Sequence, residues 1–268
     1  MDAVELTFLL LTPATYFAML AVELAGSARR FSPRPGWQWI GIAFLLLSMT
    51  IGNVLPLWLP MEWMAEHRWI DGTGLGVVGG AMVGFVVLEL AVYAWHRAVH
   101  TFGPMWRVFH QIHHSPQRVD IPGALLFHPL ETVAYTLIPL FVTVIALGLD
   151  PLAAAITGYL VTFYGLFQHW NIRTPQWLGY VIQRPESHCV HHRMGLHFYN
   201  FSDLPFWDIV FGTFRNPQQY LGECGFEHGG DRRLGAMLAF KDVNEPLYGA
   251  GSRGVSPAGG GSTPAVAT

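Results

Sequence analysis

Residues 95–115 read Trp-His-Arg-Ala-Val-His, then nine residues, then His-Gln-Ile-His-His-Ser, which sets His96, His100, His110, His113 and His114 within 19 positions. A later triplet, His188, His191 and His192, repeats the spacing of 110, 113 and 114. Side chains three and four apart share one face of a helix, so each cluster can aim its rings at a common point. Neutral imidazoles are good ligands for zinc, copper, iron and nickel. A lone histidine on an apolar face is ordinarily a packing residue with a hydrogen-bond partner. Three clusters at helical spacing read instead as a metal site, because burying so many rings without a ligand role would strand many polar groups.

The elements that must position these rings are apolar. The 268 residues are 51% hydrophobic and 12% charged, with a mean hydropathy of +0.33, too apolar for an ordinary soluble domain. The net charge of -3 comes with no basic stripe or nucleic-acid motif, so nucleic acid is not an expected partner. Cys189 and Cys224 form no CxxC pair and suggest neither a disulfide framework nor a thiolate metal site. Residues 6–24 are apolar and follow Met-Asp-Ala-Val-Glu, which lacks the basic segment of a secretory signal, so this run is expected to be a retained span.

A basic turn with Arg29, Arg30 and Arg34 follows, then a second apolar run over 37–59 with tryptophans at both ends. A third run, 75–93, carries Gly79, Gly80, Ala81 and Gly84, small residues that allow close helix approach, and delivers His96 and His100 at its end. Glu89, Tyr93, His96 and His100 fall on one helical face. Glu89 reads either as a brace or proton relay for the site or as a carboxyl hydrogen-bonded within the bundle. Residues 132–149 and 152–167, joined only by Asp150-Pro151, read as a helical hairpin that enters and leaves on one side. Placing the N-terminus outside leaves Arg68 alone outside and the other 14 of 15 basic residues inside, and it brings every histidine cluster to the cytoplasmic ends of the spans. The expected fold class is all-α integral membrane, with four to five membrane helices and a cytosolic helical cap carrying the histidine boxes. Residues 249–268, rich in Gly, Ser, Pro and Ala, are expected to be a disordered tail.

With these residues in hand, the chain resembles the fatty acid hydroxylase/sterol desaturase superfamily of integral-membrane di-iron enzymes. The resemblance rests on the HxxxH box at His96 and His100, the HxxHH boxes at 110/113/114 and 188/191/192, Phe-His128-Pro-Leu-Glu131, His169 and the Trp207-Asp208-x-x-Phe-Gly-Thr-Phe214 ending, over residues 81–214. It implies N-terminal spans over 1–73, a catalytic domain over 74–220 and a C-terminal extension over 221–248. It further implies two non-haem irons that activate dioxygen, held by His96, His100, His110, His113, His114, His169, His188, His191 and His192, with His128 as a tenth ligand. Where some relatives carry a further histidine, four residues after His169, this chain has Arg173, so His128 or water would complete that iron. Glu131 and Asp208 are candidates to hold the far nitrogens of ligand rings, with plain capping or surface pairing as the alternative, and His197 either supports the site or packs.

The implied reaction is hydroxylation of an unactivated C–H bond of a fatty acyl, sterol or related membrane lipid, with desaturation as the alternative. No four-cysteine cluster, dinucleotide-binding glycine fingerprint or cytochrome-like His-Pro-Gly-Gly segment is present, so the electrons are expected from a separate reductase, ferredoxin or cytochrome. Membrane proteins of other classes stay open. A haem protein needs only one or two axial residues per haem, a metal transporter sets ionisable ligands at mid-membrane, and a zinc hydrolase uses three ligands and a water.

Overall fold

The computed structural model describes residues 3–244, and among them it holds helices and turns, one isolated bridge between Arg193 and Cys224, and no strand. In chain order the α-helices are α1 (Ala3–Ala25), α2 (Trp37–Val54), α3 (Met61–Glu66), α4 (Gly76–Thr101), α5 (Gly103–Met105), α6 (Gln111–His114), α7 (Pro129–Leu140), α8 (Pro151–His169), α9 (Pro185–His191), α10 (Pro205–Val210) and α11 (Leu234–Leu238). The expected tail over 249–268, and residues 245–248 of the C-terminal extension, lie outside the described residues.

Among the described residues, four stretches are long and apolar enough to cross a membrane: Leu6–Ala25, Trp37–Trp58, Gly72–Thr101 and Pro129–Ala146. α8 is the returning arm of the hairpin. Its start is set by Asp150, whose Oδ1 accepts from the backbone N–H groups of Leu152 and Ala153, and by Pro151 in the first turn. α4 runs unbroken to Thr101, so His96 and His100 sit within the helix, beyond the end of the apolar run that the sequence marks.

α4 and α8 pack side by side because their contact is cut from small residues. A Cβ on Gly80 would meet Ala153 Cβ at 3.0 Å, and one on Gly84 would meet Leu149 Cδ1 and Thr157 Oγ1 at 2.7 Å. At one end of the bundle, Trp69 N–H donates to Ile145 O at 2.7 Å and Gly72 N–H to Leu147 O at 2.9 Å, tying the loop before α4 to the turn before α8. The histidines gather at the opposite end.

There the spans are stapled to the cap. Glu23 of α1 is buried, and its Oε2 accepts from Ile121 N–H and Asn171 N–H, both at 3.1 Å. Trp37 Nε1, at the start of α2, donates to Asp120 Oδ1 at 2.9 Å. Tyr16, Leu20, Leu45, Ile121 and Leu166 form the core beneath these contacts. Arg184, fully buried ahead of α9, donates to Thr174 Oγ1, Asn216 Oδ1 and the carbonyls of Thr174, Pro217 and Gln218, and pairs with Glu186 at 3.1 Å. A buried charge this fully partnered fixes the entry of α9, and with it the second triplet.

Candidate metal centre

Nine imidazoles converge in two buried groups. His96, His100, His110, His114 and His191 form one, His113, His169, His188 and His192 the other, and within each group the ligand atoms lie within 4.8 Å of one another. α4 supplies His96 and His100. A π-helical turn, Trp106–His110, ends on His110 and runs into α6, which carries His113 and His114. The first triplet therefore does not stand on one regular helix; such π turns are frequent at functional sites. α8 ends on His169, α9 carries His188 and His191, and His192 caps it. The groups adjoin, with the rings of His114 and His192 stacked at 4.1 Å.

The far nitrogens determine what the near ones can do. His96 Nδ1 donates to Phe201 O, His191 Nδ1 to Tyr199 O and His169 Nδ1 to Gly165 O, each at 2.7 Å, and His110 Nδ1 donates to Glu131 Oε1. A carbonyl, and the Glu131 side chain in its ionised form, can only accept, so each Nδ1 then holds the ring hydrogen and leaves a lone pair on Nε2. Yet His96 Nε2 and His110 Nε2 face each other at 2.9 Å. Two lone pairs at that distance repel, and a cation between them removes the conflict. In the other group the Nε2 atoms of His113, His169, His188 and His192 follow one another at 3.1, 3.1 and 3.0 Å.

Protonation does not relieve the crowding. Burial first, and then the neighbouring imidazoles, hold His110, His113, His114, His188 and His192 well below the ordinary histidine range; His191 is likewise held low, by burial first. The donor set is all-nitrogen, neutral and dry, which suits a borderline divalent transition metal.

The remaining expected residues sort by contact. Glu131 touches the His110 ring directly. Asp208 Oδ1 and Oδ2 accept from Phe201 N–H at 2.8 Å and Ser202 N–H at 3.0 Å, and Glu89 Oε2 accepts from Asp203 N–H and Leu204 N–H at 2.9 and 3.1 Å. Both carboxylates therefore hold the loop whose carbonyls face His96 and His191, and neither meets an imidazole nitrogen. His197 is buried beside His114, ring centroids 4.7 Å apart, but joins neither group.

The structure brings His128, the expected tenth ligand, into neither group: it is the N-cap of α7, its Nδ1 accepting from Leu130 N–H at 3.1 Å, with Nε2 turned toward Leu238 O. The motif Phe-His-Pro-Leu-Glu serves the site through Glu131, because a proline at the first helical position makes the preceding histidine a cap.

The sequence reading missed Asn200. Its φ of 58° turns the chain so that the carbonyls on either side, Tyr199 and Phe201, reach two ligand rings. Its Nδ2 donates to Ser187 O at 2.8 Å and Arg215 O at 2.9 Å, and its Oδ1 accepts from Arg215 N–H at 2.7 Å. An asparagine between two aromatic residues was the available signal, since asparagine tolerates the left-handed region better than most residues.

The family profile described as fatty acid hydroxylase matches residues 81–213. The chain is 32% identical over 186 residues to an ornithine lipid hydroxylase of Rhizobium tropici, covering 66% of this chain and 52% of that protein. It is 29% identical over 138 residues to a sphingolipid C4-hydroxylase of Schizosaccharomyces pombe, covering 50% and 47%. To a Delta(7)-sterol-C5(6)-desaturase of Nicotiana tabacum it is 30% identical over 196 residues, covering 65% and 68%. The chain thus spans about half the length of the first two relatives. No solved structure matches it.

Proposed function

The chain belongs to the fatty acid hydroxylase/sterol desaturase superfamily, and from that premise we propose that it is a membrane oxygenase that hydroxylates an unactivated C–H bond of a lipid. The observation that carries the reading is the pair of buried imidazole groups at one end of a bundle of apolar helices. Two irons are the metals we assign, one held by His96, His100, His110, His114 and His191, the other by His113, His169, His188 and His192. When bound, iron supplies dioxygen activation: one oxygen atom enters the C–H bond and the other leaves as water, with two electrons and two protons from a donor.

The chain's own residues do the rest. Glu131 and the carbonyls of Phe201, Tyr199 and Gly165 hold the far nitrogens of His110, His96, His191 and His169, fixing tautomer and ring orientation. The apolar helices exclude water from the ligand set and offer a lipid chain a route from the bilayer. The donor in this reading is a separate reductase, ferredoxin or cytochrome, and the arginine bias supports a cytoplasmic position for the histidine end.

Desaturation by the same centre is the second reading, supported by the similarity to the Nicotiana tabacum sterol desaturase. Lipid mass spectrometry of cells with and without the gene separates the two: a gain of one oxygen marks hydroxylation, a loss of two hydrogens marks desaturation. Unchanged lipids, together with purified protein free of iron, would overturn the proposal.

A further inference from the structure

α10 and the residue after it have their polarity inside out. Asp208 is fully buried, while Phe206, Ile209, Val210 and Phe211 are 53, 50, 55 and 46% exposed. A cap segment bathed in water would present the opposite pattern, since contiguous exposed apolar patches on soluble surfaces are small. Four large apolar side chains in six residues, with a carboxylate turned inward, call for an apolar surrounding.

Depth along α4 identifies it. Trp207 Nε1 donates to Val86 O at 3.1 Å, Glu89 holds the backbone of Asp203 and Leu204, and the rings of Phe211 and Tyr93 stack at 4.9 Å. Val86 is itself part of the exposed apolar face of α4, together with Val78 and Met82. The first charged residue on α4 toward the histidine end, apart from the buried Glu89, is the exposed Arg97, which marks the headgroup level. At a rise of about 1.5 Å per residue, the anchors at Tyr93, Glu89 and Val86 lie roughly 6, 12 and 16 Å below Arg97, against a hydrocarbon half-thickness of about 15 Å. The neighbouring turn Gln176–Tyr180 adds exposed Trp177, Tyr180 and Val181, with Tyr180 against Phe214 at 5.7 Å. Such amphipathic rings are those enriched at membrane interfaces.

We propose that Leu204–Phe211 is a re-entrant wedge of the cap, sunk beside α4 into the acyl chains of the leaflet on the histidine side, with 177–181 at its interfacial rim. The occupant of this surface is lipid. Backbone groups at that depth must be satisfied within the protein, and on both flanks of the segment they are: Asp203 and Leu204 donate to Glu89, Phe201 and Ser202 to Asp208, and Thr213 and Phe214 N–H to Asp208 O at 2.8 and 3.1 Å. The inference rests on α4 crossing the bilayer and is independent of the reaction.

The test is photolabelling of the full chain, reconstituted in phosphatidylethanolamine/phosphatidylglycerol vesicles, with a diazirine amino acid replacing Ile209, Val78 on α4, or the exposed Gln219. Lipid adducts at position 209 are expected within about twofold of position 78 and roughly tenfold above position 219, because only the two lipid-facing sites meet acyl C–H bonds. Water addition at 209 with lipid adducts at 78 would overturn the wedge, as would a cross-linked dimer through 209. Because the readout is adduct mass, it is separate from iron content and lipid oxidation, whose failure would touch only the enzymatic reading.

Discussion

His110 and Glu131 are joined side chain to side chain, Nδ1 donating to Oε1, with both groups out of contact with solvent. Because Nε2 of the same ring faces His96 Nε2, the carboxylate governs how strongly His110 can hold a cation. Glu131→Gln keeps the shape and replaces the carboxyl by a group that cannot ionise. Retention of metal against a chelator should fall by about 10- to 100-fold, the usual consequence of losing a carboxylate behind a ligand histidine. Metal per chain, measured after graded chelator exposure, checks this, and an unchanged release curve would remove Glu131 from that role.

His113 and His128 should part company under the same substitution. His113 belongs to the group of four, so His113→Ala should reduce bound metal from about two to about one per chain and abolish product, while leaving membrane insertion intact. His128→Ala should leave metal content alone and cost about 1 kcal/mol of stability through loss of the α7 cap. Elemental analysis and thermal unfolding of both variants decide it; full activity of His113→Ala would take that ring out of the site.

Those two residues also show how far the sequence could be read. The gathering of the histidines was legible because i, i+3 and i+4 spacing translates directly into shared faces, and the spans were legible as apolar runs. The π turn before α6 was not, because nothing in Trp-Arg-Val-Phe-His distinguishes an i+5 bond from an i+4 bond. The place of His128 outside both groups was not legible, because a capping histidine and a ligand histidine look alike until the ring direction is known. Asp208 and Glu89 were visible as polar residues in apolar surroundings, yet their contacts are to the backbone N–H groups of 201–204, which no side-chain pattern records. Asn200 escaped for the same reason.

The α4–α8 contact should be intolerant of one methyl group at one glycine and indifferent at another. Gly84→Ala would drive a Cβ into Leu149 and Thr157, whereas Gly79→Ala would meet only Leu75 of its own turn, at 3.5 Å. Overpacking predicts a loss of about 1–3 kcal/mol for the first. Helix propensity predicts a gain of up to about 1 kcal/mol for the second. Thermal unfolding in one detergent reports both, and equal midpoints for the two variants would mean that α8 is not packed against Gly84.

Acid should unfold the metal-stripped protein well before it unfolds the loaded one. Burial pushes His197 down to about 4 and holds His110, His113, His114, His188, His191 and His192 well below the ordinary range. In the unfolded chain each titrates near about 6.5. Above that pH neither state binds these protons and the stability is whole. As pH falls below it, the unfolded chain takes up protons that the fold refuses, and each such histidine removes about 1.4 kcal/mol per pH unit until its folded value is reached. Bound metal requires the neutral rings and so resists the same protons, shifting the loss to lower pH. Thermal midpoints between pH 7 and 4, with and without chelator, should diverge from about pH 6.5 downward. His197→Gln should lower the slope of the stripped form by one proton, since His197 belongs to neither metal group. A stripped protein whose midpoint stayed level from pH 7 to 5 would mean that water reaches these rings, and the dry, neutral ligand set would have to be abandoned.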